Sequence, residues 1–198
     1  MTTNIISKMS INKNGYWEGI ESESQHCYDA HLSKMLVKFF INEKVSKLAD
    51  FGCGMGNYVI DLRKHNINAV GYDGNPNTPY LTNNICEILD LSIPKQFDIP
   101  FDWVLSLEVG EHLPQEFEYI FINNLHCNNK HGILLSWAIE GQGGDGHVNC
   151  RNNDYIKNKL CNLGYINDIE SENMLRNAAT LSWFKNTIMV FRKKTNID

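Results

Sequence analysis

The 198-residue chain has no two cysteines spaced two residues apart. Its six cysteines, Cys27, Cys53, Cys86, Cys127, Cys150 and Cys161, are scattered, which argues against both a zinc cluster and a disulfide framework. Reduced thiols and a cytoplasmic location, the host's if the source is viral, are the expectation. No apolar run approaches the ~20 residues of a membrane span, and the opening MTTNIISKMSINKNGYW lacks the apolar core of a leader. A membrane partner is therefore not expected. Basic charge is in short supply as well: 18 Lys and Arg stand against 23 Asp and Glu, a net charge of −5. Without a basic face, long nucleic acid is a poor partner, although charge alone does not exclude a capped RNA end. The chain has no internal repeat, low-complexity tract or linker, so residues 1–198 read as one domain, with 42% hydrophobic residues to fill a core.

Against these absences, Leu48 to Tyr58 (LADFGCGMGNY) stands out. Val45 to Phe51 reads as a short apolar strand and Tyr58 to Lys64 as the start of a helix, so Gly52, Gly54 and Gly56 fall in the turn between them. Glycine there tolerates positive φ and lets a ligand approach the main chain, while the helix that follows presents free amide donors. Ala69 to Asp73 reads as the next parallel strand. Asp73 lies 21 residues after Gly52, where a carboxylate can accept hydrogen bonds from both ribose hydroxyls. A dinucleotide fingerprint, G-x-G-x-x-G, would need its third glycine at position 57, which is Asn57. An acid two residues before the first glycine, Asp50, also suits a ligand carrying an ammonium group better than a pyrophosphate.

The pattern D-x-G-x-G-x-G resembles the first motif of class I S-adenosylmethionine-dependent methyltransferases. Three further motifs follow in order. Asp73 falls where that family places its ribose-binding acid, Ile88-Leu89-Asp90-Leu91 resembles the third motif flanking the adenine, and Phe101 to His112 (FDWVLSLEVGEH) resembles the fourth. The resemblance implies S-adenosylmethionine as cofactor and S-adenosylhomocysteine as product. It carries cofactor contacts onto Asp50, Gly52, Cys53, Gly54 and Gly56, then onto Asp73 and Gly74, Asp90 and Leu91, and Leu107 and Glu108. It also implies an α/β, Rossmann-like sheet of seven strands, mostly parallel, with helices on both faces and a last strand inserted antiparallel between the fifth and sixth.

Periodicity supports that alternation. Tyr28, Leu32, Met35, Leu36, Phe39 and Phe40 recur at helical spacing. Residues 16–44 thus read as a helical wall or lid, with Trp17, His26 and Tyr28 able to reach the cofactor, and residues 1–15 as loose. Glu116 to Leu125 and Asp154 to Leu163 read as helices, and Ile133 to Trp137 as the fifth strand. Tyr165 to Glu170 and Thr187 to Arg192 read as the final strands, with a short covering helix within Asn173 to Trp183.

Methyl transfer is an in-line displacement, so holding the nucleophile in place supplies much of the rate, and a hydroxyl acceptor also needs a base. Ligands of doubly wound sheets bind beyond the carboxyl ends of the strands. After the fourth strand stand Glu108, Glu111 and His112. There His112 reads as a base oriented by Glu111 or Glu108, or the pair simply caps a helix and shapes the pocket. After the fifth comes EGQGGDGHVN (140–149), where His147 reads as the preferred base and Gln142, Asp145 and Asn149 as acceptor contacts, with Tyr28 facing them. The loop resembles those of methyltransferases of polysaccharide and nucleotide-sugar pathways, which implies a small polar acceptor, a sugar or nucleotide-sugar. A metal held by Asp145 with His147 or His112 is the minority reading, and no metal ligands are assigned. No N/D-P-P-Y motif is present, which disfavours amino groups of bases. A protein or RNA-cap methyltransferase and a cofactor-binding subunit without catalysis remain as alternatives, and nothing in the sequence fixes an oligomeric state.

Overall fold

The computed structural model describes residues 8–194. In chain order the elements are β1 (Ser10–Ile11), β2 (Trp17–Glu18), α1 (Ala30–Asn42), β3 (Lys47–Phe51), α2 (Asn57–Lys64), β4 (Asn68–Asp73), α3 (Thr78–Leu81), β5 (Cys86–Ile88), β6 (Phe101–Ser106), α4 (Glu118–Cys127), β7 (Asn129–Leu135), α5 (Asn153–Asn162), β8 (Tyr165–Asn167), α6 (Ile169–Ala178), α7 (Phe184–Thr187) and β9 (Met189–Lys193). Seven strands form one sheet in the order β5-β4-β3-β6-β7-β9-β8. The ladders from β5 to β7 are parallel, whereas β9 runs antiparallel to both β7 and β8. This is the seven-stranded arrangement expected above.

Strand periodicity builds two cores. Alternate side chains point to opposite faces, so Leu48, Trp103 and Leu105 pack with Leu36, Phe40, Val59 and Leu175 from α1, α2 and α6. Their neighbours Ala49 and Val104 face the other way, with Phe121 and Leu125 of α4 and Ile156 and Leu160 of α5. Trp103, only 1% exposed, fills the first core, with Phe39 edge-on to it. Asp29 ties the first face to the tail: one oxygen caps α1 through the amides of His31 and Leu32, and the other accepts from those of Thr180 and Leu181.

Two expectations need correction. The strand expected over 165–170 ends at Asn167 because Asp168 caps a helix, accepting from the Ser171 amide at 3.0 Å. Glu170 therefore lies in α6, which replaces the shorter helix expected further on. Residues 8–15, expected to be loose with the rest of 1–15, belong to a hairpin in which Ser10 and Ile11 pair with Glu18 and Trp17. Residues 1–7 lie outside the described residues.

Candidate active site

At the carboxyl ends of β3, β4 and β6 a cavity of about 380 Å3 opens. The strand-to-helix turn after β3 forms its floor. The amides of Gly52 and Cys53 both donate to the Tyr72 carbonyl, at 2.7 and 3.0 Å, and that of Gly54 donates to Asp73 Oδ2 at 2.9 Å. Gly54 has φ 52°, and a Cβ built on it would stand 2.6 Å from the His26 ring. Both the left-handed backbone and the close approach therefore require glycine there. Gly56 takes the N-cap position of α2 with no side-chain cap, so the first amides of that helix lack an intrahelical partner.

The acids around this turn differ in what satisfies them. Asp50 is buried, and its Oδ2 has no hydrogen-bond partner. Burial, with added repulsion from Cys86 and Asp73, pushes its carboxyl well above the usual range. A cationic group entering the cavity would reverse that penalty. Asp73 uses one oxygen on Gly54 and the other on the Asn75 amide at 2.9 Å. Asp90 accepts from Ser92 and, at 2.7 Å, from the Asn14 amide group.

The N-terminal hairpin covers the cleft. Tyr16 packs on Gly74, and a Cβ on Gly15 would stand 2.2 Å from the His112 carbonyl oxygen. The ring of Trp17 lies between His26, at 5.1 Å, and His112, at 5.4 Å. His112 in turn meets His147 edge to face at 4.9 Å. Four rings thus run from the glycine turn to the loop after β7. Burial lowers the pKa of His26, against the pull of Asp73. His112 falls to about 4, through burial first and then the charge of His147.

The opposite side of the cavity is built by the segments after β6 and β7. Glu108 adopts φ 52°, a left-handed conformation unusual for a side chain of this kind and common where a site holds strain. Gln142 donates to its Oε2 at 2.6 Å and Thr187 to its Oε1 at 3.1 Å. Glu111 is fully buried, and neither carboxylate oxygen has a hydrogen-bond partner. Burial, then repulsion from Glu108, pushes its carboxyl well above the usual range.

Most of the residues read from the sequence meet at this cavity: Asp50, Gly52, Cys53, Gly54, Asp73, Gly74, Asp90, Leu91, Leu107, Glu108, His112, Gln142, Asp145, His147 and Tyr28 all line it. Tyr28 reaches back to Asp61, to which its hydroxyl donates. Three residues stand apart. Gly56 turns toward Cys86 and caps the helix. Glu111 lies behind the wall, with its carbonyl held by the amides of Val148 and Asn149. Asn149, expected to touch the acceptor, is buried instead, because Trp137 donates to its carbonyl at 2.7 Å and its own side chain donates to Glu118. Sequence reasoning missed Asn14, Gly15 and Tyr16 as wall residues. The aromatic pair Tyr16-Trp17 after Gly15 was the signal present.

No protein-family profile matches the chain, and no curated protein matches it at the sequence level. Solved structures do match in shape. Magnesium protoporphyrin IX methyltransferase (ChlM) from Synechocystis PCC 6803, with SAH bound, superposes with a TM-score of 0.63 at 17% identity, covering 83% of this chain and 84% of that one. A TehB-like SAM-dependent methyltransferase from Corynebacterium glutamicum gives 0.58 at 14% identity, over 88% of this chain and 93% of the other. The cyclase SpnF gives 0.56 at 13% identity, over 81% and 80%. The chain thus has the Rossmann-like fold of these SAM-dependent methyltransferases, a fold that also houses a cyclase.

Proposed function

We propose that the protein is an S-adenosylmethionine-dependent methyltransferase that methylates a hydroxyl of a small polar acceptor, with a sugar or nucleotide-sugar favoured. Since one fold serves several chemistries, the reading rests on the site rather than on the likeness. The observation that carries it is Asp50: a buried carboxylate with a bare oxygen, at a glycine turn, in a cavity that also receives Asp73 and Asp90. That set matches a nucleoside carrying an amino-acid tail, with the ammonium at Asp50, the ribose hydroxyls at Asp73 and the adenine near Asp90 and Leu91.

When bound, S-adenosylmethionine supplies a methyl group on a sulfonium centre that a nucleophile displaces in line. The chain's own residues have the other tasks. The turn at 52–56 and the hairpin carrying Tyr16 and Trp17 enclose the cofactor and exclude water, and the acceptor enters beside Glu108, Gln142 and Asp145. A hydroxyl placed there lies next to His112 and His147, whose ring nitrogens can accept its proton. His147, on the loop side, is the base we assign, with His112 its partner. Gln142 and Asp145 supply hydrogen bonds of the kind a sugar ring needs, and the weaker loop resemblance to polysaccharide-pathway methyltransferases points the same way.

The experiment is a methyl-donor assay of the purified chain against a panel of nucleotide sugars and free sugars, scoring S-adenosylhomocysteine. Acceptor-dependent product supports the reading. Cofactor binding without product from any hydroxylated acceptor would instead indicate a binding subunit.

A further inference from the structure

At the wall formed after β6 and β7, Glu111, His112 and His147 bring three potential ligand atoms, one from each side chain, within 4.8 Å of one another. They come from two loops: Glu111 and His112 follow β6, and His147 follows β7. Glu111 is 0% exposed with both carboxylate oxygens unpartnered, and His112 Nδ1 is unpartnered too. No ion pair among the described residues involves Glu111. A buried carboxylate without a partner is costly, and proteins meet that cost by keeping a proton on it or by supplying a counter-charge. Here the protein supplies none. The nearest neighbours instead offer imidazole nitrogens, and Glu108 alongside adds a second negative charge.

We propose that Glu111, His112 and His147 hold a divalent first-row transition-metal ion at the acceptor mouth. Two imidazoles and one carboxylate suit manganese, iron, cobalt or zinc, whereas magnesium and calcium favour all-oxygen shells. Three protein ligands leave coordination positions open, and His112 and His147 both line the cavity, so the open side faces the acceptor. The cation would take up the imidazole lone pairs otherwise assigned to the base. It would then orient the acceptor hydroxyl and make it more acidic. That role in catalysis rests on the methyltransferase reading, but the metal site itself does not. Asp145, the carboxylate suggested by the loop sequence, lies on the cavity wall and is not among the three, its place being taken by the buried Glu111.

The test is a titration of the untagged, chelator-stripped full chain with cobalt(II), followed by its visible absorption, together with calorimetric titrations with manganese(II) and magnesium(II). We expect one saturable cobalt site per chain and weaker binding of magnesium. Glu111→Gln and His147→Gln should each weaken cobalt binding at least tenfold. His147 lies in a loop, so its variant keeps the test valid if the buried Glu111→Gln fails to fold. Absence of saturable cobalt binding, or equal binding by the wild type and His147→Gln, overturns the proposal. S-adenosylmethionine is titrated into the same stripped protein. Cobalt bound without that nucleoside overturns only the methyltransferase reading, and the nucleoside bound without cobalt overturns only the metal site.

Discussion

Asp73 Oδ2 accepts a hydrogen bond from the Gly54 amide at 2.9 Å, joining the end of β4 to the middle of the glycine turn. The acid proposed to bind the ribose therefore also shapes the surface on which the rest of the cofactor would lie. Asp73→Ala should lose on both counts: about 1.5–3 kcal/mol of stability from a lost charge-assisted hydrogen bond and at least tenfold in affinity for S-adenosylmethionine. Asp73→Asn, which can still accept from Gly54, should recover most of the stability and little of the affinity. Urea unfolding and calorimetry on the same preparations separate the two effects.

Asp50 makes binding depend on pH. Its carboxyl is raised well above the ordinary value by burial, so the ligand-free protein keeps a proton that a bound ammonium group would expel. Affinity should therefore rise with pH, by up to about tenfold per unit, until pH passes the raised value, and then level off. The sign for stability is opposite: the penalty of ionising Asp50 is absent below the unfolded carboxyl's pKa and grows as pH rises through the raised one. Asp50→Asn should abolish the pH dependence of binding and most of the affinity, without destabilising the fold at neutral pH. Proton release during binding, read by calorimetry in two buffers of different ionisation enthalpy, checks the first claim.

The glycine-turn half of this cavity was far more legible in the sequence than the half built after β6 and β7. Asp50, Gly54 and Asp73 are placed by strand periodicity and a turn that needs glycine, both local properties. Asp168 was legible in principle as a helix cap, but the apolar Tyr165-Ile166 pair drew the strand too far. The hairpin was not legible, because strands of two residues such as Ser10–Ile11 carry no periodicity. Asn149 and Glu111 are the instructive cases. Their burial is set by Trp137 and by the packing of two distant loops, which no pattern near either residue encodes.

His147→Ala should separate chemistry from binding. It lies in the loop after β7, away from the glycine turn proposed to hold the nucleoside. Affinity for S-adenosylmethionine should stay within about twofold, while turnover falls by about 100-fold or more, the usual contribution of a positioned proton acceptor. This loss is expected whether His147 acts directly or through a bound cation. Steady-state kinetics that show full turnover in the variant would remove it from the mechanism.

Gly54→Ala places a methyl group against the His26 ring at a residue with φ 52°. The expected cost is about 1–2 kcal/mol of stability, with loss of measurable cofactor binding because the turn or the His26 ring that lines the cavity must shift. Gly141 also has positive φ but has nothing within 4 Å of its Cβ position. Gly141→Ala should thus be destabilised by backbone strain alone and retain cofactor affinity. Thermal melts and binding titrations of both variants make the comparison.

The cavity bounded by Asp50, Asp73 and Trp17 is proposed to hold a sulfonium nucleoside. Calorimetric titration of the intact chain at pH 8, with S-adenosylmethionine in one experiment and NAD in another, tests it most directly. One saturable site for S-adenosylmethionine, lost in Asp50→Asn, and no heat from NAD are expected. Binding of NAD with none of S-adenosylmethionine would contradict it.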